Sequence, residues 1–203
     1  MLDATMLTFV RESLPAPPAR VLEVGAGKGE LAVELASLGY DVVAIDPKAE
    51  GPVVRPVFLH KLDEPVESFD AAVAVLSMHH VDPLTESCRR LAEVIRPAGV
   101  LVLDEIDFAC FDERSAGWWL EHHGAAEHAG STPEEIVSHL REHCHELARI
   151  RSVLTEWFEL GATSRGPYLY RWELSPELRA TELDLIMSRA LPATGARIVG
   201  TRR

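Results

Sequence analysis

The sequence predicts an α/β fold in which a doubly wound, mostly parallel sheet carries helices on both faces. Short apolar runs, typical of strands buried on both faces, recur along the first half of the chain as VLEV, DVVAID, FDAAVAVL and GVLVLDEI. Segments of helical periodicity separate these runs, as the crossovers between parallel strands require. A glycine-rich loop follows the first run, and such folds bind nucleotide-like ligands at that position.

The composition indicates a globular protein with a sizeable core. The chain has 203 residues, of which 47% are hydrophobic, and a formal net charge of −12. This acidity argues against nucleic-acid binding, which needs clustered Lys and Arg. No run approaches the ~20 apolar residues of a membrane span, and the N-terminus lacks a signal-peptide pattern. The three cysteines are far apart, which argues against a disulfide framework. We therefore expect a cytoplasmic protein without nucleic-acid or membrane partners.

We interpret residues 1–203 as a single domain with three parts. Residues 1–17 form an amphipathic N-terminal lid helix and a proline-rich linker. Residues 18–107 hold the alternating strands and helices and form the ligand-binding half. Residues 108–203 form the half that faces a second substrate and supply the final strands.

Apolar periodicity places the elements. After the first strand we expect a helix that ends at Gly39 and then a second strand. A short third strand at 53–59, a fourth strand at 69–76, a helix at 83–95 and a fifth strand at 99–106 follow. In the second half the pattern predicts helices at 113–128 and 133–149 and a strand at 154–162. It also predicts an extended segment at 166–174 and a final strand at 196–202. A helix preceding that last strand would have Ser175 as its N-cap.

Three ligand classes compete for the glycine loop, VLEVGAGKGE, in which Gly25, Gly27 and Gly29 alternate with other residues. A phosphate-binding P-loop needs Gly-Lys-Ser/Thr, but here Lys28 precedes its glycine. A dinucleotide site needs G-x-G-x-x-G, but Glu30 occupies the third glycine position and would repel pyrophosphate. Both phosphate-containing classes are therefore disfavoured.

Two further carboxylates favour the third class, a nucleoside joined to a cationic amino acid. Glu23 lies at the end of the first strand, where an ammonium group would gain from a negative charge. Asp46 ends the second strand, where an acidic side chain accepts hydrogen bonds from both ribose hydroxyls.

With these residues the chain resembles the class I S-adenosylmethionine-dependent methyltransferases. The matching motifs occur in the family's order over roughly residues 18–107, and they are VLEVGAGKGE, VVAIDP, SFDAAVAVLSMHHVDP and LAEVIRPAGVLVLDE. The resemblance implies a Rossmann-like, seven-stranded methyltransferase sheet, S-adenosyl-L-methionine as cofactor, and methyl transfer to a small-molecule acceptor by in-line displacement. The alternative is a non-catalytic S-adenosylmethionine-binding protein or partner subunit that retains the cofactor site.

The resemblance also implies roles for individual residues. Glu23 and the backbone of Gly25, Ala26 and Gly27 would hold the amino-acid end of the cofactor. Asp46 would hold the ribose.

Five more residues would surround the remainder of the cofactor. Pro47 would lie near the adenine, with Leu62 as apolar cover and Asp63 as a weak polar candidate for the adenine amino group. Ser77 and Met78 would line the methionine moiety. The family commonly has a helix in the region after the second strand, but the segment before the fourth strand is short and proline-rich, so we expect that helix to be missing or a single turn.

Methyl transfer needs a base only if the acceptor carries a proton, and His79 is our candidate. It follows the fourth strand in SMHH, although a histidine there can also cap or pack at the strand end.

Other polar residues raise the possibility of metal or cation binding. The fifth strand ends with Asp104, Glu105 and Asp107, which could bind a cationic acceptor or a metal. His139 and His143 share one helical face. Because no H-E-x-x-H or comparable ligand motif is present, we expect no metal.

Overall fold

The computed structural model describes residues 2–49, 51–123 and 130–203. Within these ranges, eight strands form one mixed sheet: β1 (Arg20–Val24), β2 (Asp41–Ile45), β3 (Val54–Arg55), β4 (Phe69–Val75), β5 (Ile95–Ile106), β6 (Phe158–Leu160), β7 (Ser164–Gly166) and β8 (Gly195–Arg202). The strand order is β3-β2-β1-β4-β5-β8-β6, and β7 pairs with β8. Strands β1 to β5 are parallel, whereas β8 is antiparallel to β5, β6 and β7. The predicted α/β fold with a mostly parallel sheet is confirmed, and the short β7 adds an eighth strand.

The same described residues contain seven α-helices: α1 (Ala4–Ser13), α2 (Glu30–Ser37), α3 (Leu84–Val94), α4 (Glu113–His123), α5 (Pro133–His143), α6 (Leu147–Leu154) and α7 (Leu178–Met187). Alternate residues of β1 belong to two apolar clusters. Val21 packs with α1 and α2, whereas Leu22 packs with α3 and α6. Because successive strand residues face opposite sides, helices cover both faces of the sheet, as predicted.

The first helix lies on a face of the sheet. Asp3 caps α1 by accepting a hydrogen bond from the backbone nitrogen of Met6, and Met6 and Val10 are buried in the cluster that contains Val21. In the described structure no residue of α1 lines the cavity at the carboxyl ends of β1, β2 and β4. In this structure α1 packs on a face of the sheet, and its proposed role as a lid stays a prediction.

The third strand is shorter than predicted. Only Val54 and Arg55 pair with β2, and a single 3-10 turn follows at Leu59–Lys61. Pro56 has no N–H to donate to a ladder, which explains why the strand stops there. The described residues between β2 and β3 contain no helix, in agreement with the expectation from the proline-rich segment.

Helix boundaries in the second half also differ from the predictions. The helix predicted at 113–128 is described up to His123, and its last five positions lie outside the described residues. The helix predicted at 133–149 is divided into α5 and α6, because Cys144 has an extended backbone with φ of −123° and ends α5. Thr132 and Glu135 form a capping box that starts α5. No apolar signal in the sequence indicates the break.

The chain after α6 is more irregular than its pattern suggests. The strand predicted at 154–162 is reduced to β6, and the segment predicted as extended contains a 3-10 turn at Leu169–Arg171. Ser175 is not the N-cap of α7, since Glu177 occupies that position. None of the helices in the described ranges has the length and apolar character that a membrane span requires.

Candidate functional site

A cavity of about 460 Å³ lies at the carboxyl ends of β1, β2 and β4. The chain passes outward from β1 to β3 and then crosses to β4 on the other side, so the cavity lies at the point where the strand order reverses. Doubly wound sheets bind ligands at this point. Four of the predicted site residues line it: Gly25, Asp46, Pro47 and Ser77.

Gly25 allows the loop after β1 to approach the loop after β4. Its φ is +73°, and a Cβ added to it would lie 2.2 Å from the Cβ of Ser77. Ser77 fixes this approach by donating a hydrogen bond from Oγ to the carbonyl of Val24 at 2.7 Å. A side chain at position 25 would therefore push the two loops apart.

Asp46 joins the glycine loop to the end of β2. Its Oδ2 accepts a hydrogen bond from the backbone nitrogen of Gly27 at 2.9 Å, and its Oδ1 accepts one from that of Lys48 at 2.7 Å. Each carboxylate oxygen has a second lone pair, so Asp46 can still accept hydrogen bonds from a ligand in the cavity. The side chain is half-buried, at the border between the cavity wall and solvent.

Glu23 is a buried carboxyl with an unsatisfied oxygen. It is 4% exposed, and no hydrogen-bond partner for Oε2 occurs among the described residues. Burial raises the pKa of Glu23 to about 8, a hydrogen bond from the backbone of Ala32 opposes the change, and the charge of Asp46 adds to it. Burial therefore favours the protonated form of this carboxyl, and a cation placed beside it would favour the ionised form.

Glu105 holds the turn that follows β4. This completely buried carboxylate accepts hydrogen bonds from the backbone nitrogens of Ser77 and Met78 at 2.9 and 2.6 Å, through Oε1. Its Oε2 lies 2.7 Å from Nδ1 of His79, which is 7% exposed. His80 follows and lines the cavity. Although this residue is solvent-exposed overall, partial burial of its ring and the neighbouring His79 ring lower the pKa of His80. Glu105 thus positions the whole turn, a role that the sequence analysis missed.

The other two carboxylates at the end of β5 also have internal partners. Asp104 pairs with Arg171 at 2.7 Å and with Arg197 at 2.9 Å. Asp107 pairs with Arg165 at 2.6 Å. These ion pairs give both carboxylates charged partners within the protein. All three arginines follow position 160, so no local pattern links them to β5.

Six of the ten predicted cofactor residues are not among the residues that line the cavity: Glu23, Ala26 and Gly27 in β1 and the glycine loop, and Leu62, Asp63 and Met78. Leu62 and Met78 are buried in the apolar cluster that contains Leu22, α3 and α6, and Asp63 is exposed. Phe58 and Leu59 line the cavity instead of Leu62 and Asp63. The 3-10 turn at Leu59–Lys61 causes this difference, because it directs the chain away from the cavity before Leu62 is reached.

The part of the chain that contains the cavity matches a known protein family. A family model for a methyltransferase domain matches residues 3–149. The chain belongs to this methyltransferase domain family. The match extends from α1 through β5 and into α6, so it includes every residue of the cavity wall.

Curated methyltransferases are similar to part of the chain. A ubiquinone biosynthesis O-methyltransferase of Xanthomonas campestris is 33% identical over 124 residues, which are 52% of this chain and 51% of the relative. An uncharacterized methyltransferase of Mycobacterium bovis is 37% identical over 100 residues, 44% of this chain and 41% of the relative. The chain therefore spans about half the length of the first of these relatives, and less of the second.

Solved methyltransferase structures share the fold over nearly the whole chain. An S-adenosylmethionine-dependent methyltransferase structure from Listeria monocytogenes has a TM-score of 0.63 at 14% identity, covering 99% of this chain and 100% of that one. One from Mesorhizobium loti has a TM-score of 0.63 at 17% identity, covering 96% and 95%. These similarities establish the methyltransferase fold from the N-terminal helix to the final strand.

Proposed function

We propose that this chain binds S-adenosyl-L-methionine and transfers its methyl group to a small-molecule acceptor. The observation that carries the proposal is the buried, unsatisfied Oε2 of Glu23, the residue directly before Val24 of the cavity wall. A ligand ammonium group would donate a hydrogen bond to this oxygen and favour the ionised carboxylate, whereas a phosphate would do neither. S-adenosylmethionine combines this ammonium with a nucleoside.

The amino-acid end of the cofactor would lie against the glycine loop. In this assignment Glu23 receives the ammonium, and the backbone between Gly25 and Gly27 surrounds the rest of that end. Ser77 lines the adjacent wall for the methionine chain. Met78 lies behind this wall in the apolar core.

The nucleoside would occupy the part of the cavity near β2. Asp46 would accept hydrogen bonds from the ribose hydroxyls, and Pro47 would flank the adenine. We assign the apolar cover of the adenine to Phe58 and Leu59, because they line the cavity where Leu62 and Asp63 do not. Ser87 adds a polar group to the same wall, since its buried Oγ has no hydrogen-bond partner in the described structure.

The chemistry required of the protein is modest. In the proposed reaction the acceptor's lone pair would attack the methyl carbon in line with the carbon–sulfur bond, and the electron pair of that bond would remain on sulfur in S-adenosylhomocysteine. The main contribution is to hold the two reactants in this geometry and exclude water. His79 is the candidate base for a protonated acceptor, because Glu105 fixes its ring through Nδ1. The O-methyltransferase among the similar proteins supports an oxygen acceptor in a small molecule.

Thermal unfolding with S-adenosylhomocysteine tests the proposal. The product should raise Tm, and a ligand present at 100 times its Kd stabilises the fold by about 2.7 kcal/mol. Glu23→Ala and Asp46→Ala should abolish the increase. Asp63→Ala is the matched control, because this exposed carboxylate lies off the cavity, and it should keep the full increase.

The outcomes separate binding from catalysis. No increase in Tm at millimolar S-adenosylhomocysteine would contradict the cofactor assignment. An increase that persists in Asp46→Ala would contradict the ribose assignment. Product formation should then be measured against a panel of small hydroxyl compounds, and binding without turnover on such a panel would favour a non-catalytic S-adenosylmethionine-binding protein.

A further inference from the structure

Three side chains with metal-binding atoms meet beside the cavity. His79, His80 and Cys144 each offer one potential ligand atom, and these three atoms lie within 4.8 Å of one another. Cys144 Sγ lies 4.0 Å from Nδ1 of His80, and the centroids of the two imidazole rings are 4.2 Å apart. Nitrogen and sulfur donors in this combination suit a borderline-soft divalent cation, above all Zn²⁺.

Backbone contacts build this arrangement from two distant segments. The backbone nitrogen of His145 donates a hydrogen bond to the carbonyl of His79 at 2.9 Å. The side chain of His145 lies 3.1 Å from the carbonyl of Val81 through Nε2. These contacts hold the break between α5 and α6 against the turn after β4, and they bring Cys144 to the histidines. The juxtaposition is therefore part of the fold.

The surroundings of His79 match those of a metal ligand. Metal-binding histidines commonly donate their second ring N–H to a carboxylate, which fixes the ring and increases its basicity. Glu105 occupies this position at Nδ1, which leaves Nε2 as the ligating nitrogen. His80 is exposed and Cys144 is half-buried, so both side chains can move by the roughly 1 Å that a tetrahedral site with bonds of about 2.0–2.3 Å requires.

We propose that His79, His80 and Cys144 bind one Zn²⁺ at the cavity wall and leave its fourth position open to an exogenous ligand. Three protein ligands and an open position are the arrangement of catalytic zinc sites. The oxygen or sulfur of a methyl acceptor would take that position, and the ion would lower its pKa. In this arrangement His79 would be a zinc ligand and not the free base. The ion would then promote deprotonation of the acceptor. This role rests on the proposed function, whereas the binding of the ion does not.

Metal titration of the full chain under reducing conditions tests the site. The protein should bind one equivalent of Zn²⁺ in competition with a chromogenic chelator. His80→Ala and Cys144→Ser should each weaken binding by at least about 10-fold. Cys110→Ser is the matched control for Cys144→Ser, because both thiols are half-buried. A His139→Asn/His143→Asn double variant controls for the stacked histidine pair on α5. Neither control should change the affinity.

Cobalt substitution gives a second readout that a structural defect would not imitate. The Co²⁺ form should show a thiolate-to-metal charge-transfer band that is lost in Cys144→Ser, and azide should change the visible bands by occupying the open position. Zinc affinity that is unchanged in both ligand variants, or lost only in the double variant of α5, would overturn the site. A cobalt spectrum insensitive to azide would overturn the open position. An increase in Tm with S-adenosylhomocysteine in zinc-free protein tests the cofactor proposal separately.

Discussion

Glu23→Gln should stabilise the cofactor-free protein in a pH-dependent way. The pKa of Glu23 rises from 4.5 to about 8 because the carboxyl is buried. Between these values the folded protein holds a proton that the unfolded chain releases, so the free energy of unfolding of the wild type falls as pH rises. Glutamine has nearly the same shape as the protonated carboxyl and does not titrate, so the variant lacks this loss.

The magnitude follows from the two pKa values. Each pKa unit corresponds to about 1.4 kcal/mol, so the interval from 4.5 to about 8 corresponds to about 5 kcal/mol. Solvent that enters at the cavity edge would screen the charge, which makes this figure an upper limit. The variant should match the wild type near pH 4.5 and exceed it increasingly up to pH 8, with no further change above that pH.

Urea unfolding followed by tryptophan fluorescence measures the effect. Both proteins are unfolded at pH 5, 6, 7, 8 and 9, and free energies are extrapolated linearly to zero urea. The other titrating groups are shared, so the difference between the proteins isolates Glu23. Glu159→Gln, at an exposed position on β6, is the control and should give a pH-independent difference. A difference for Glu23→Gln that is also constant with pH would show that Glu23 is ionised in the fold and would refute the reasoning.

Two further substitutions test how the loops around the cavity are held. Gly25→Ala should destabilise the protein by about 2 kcal/mol or more, because its Cβ would meet Ser77 at a positive φ. Gly27→Ala has open space and should cost only about 1 kcal/mol of backbone strain, so equal losses by urea unfolding would contradict the steric argument. Glu105→Ala should cost about 3 kcal/mol, since it leaves buried backbone donors unsatisfied, whereas Glu159→Ala should cost less than about 0.5. A small loss for Glu105→Ala would mean that the turn does not depend on this carboxylate.

Buried carboxylates are the part of the structure that the sequence pattern described least well. Glu105 accepts hydrogen bonds from the turn after β4. Glu182 does the same on α7 for the backbone nitrogens of Tyr168, Leu169 and Tyr170, at 2.7 to 2.9 Å. In a sequence each resembles a surface acid, because its donors are backbone groups that no residue pattern announces.

The sequence by itself determined the architecture and the place of the cavity in it. Continuous apolar runs specify parallel strands, and the loop residues Gly25 and Gly27 and the strand-end residue Asp46 are local signals at the point where doubly wound sheets bind ligands. Tertiary structure decided the rest, because the partners are distant in the chain. Glu105 reaches His79 across 26 positions, and Cys144 reaches His80 across 64. Only the break between α5 and α6, which follows from backbone contacts with the turn after β4, brings the last pair together.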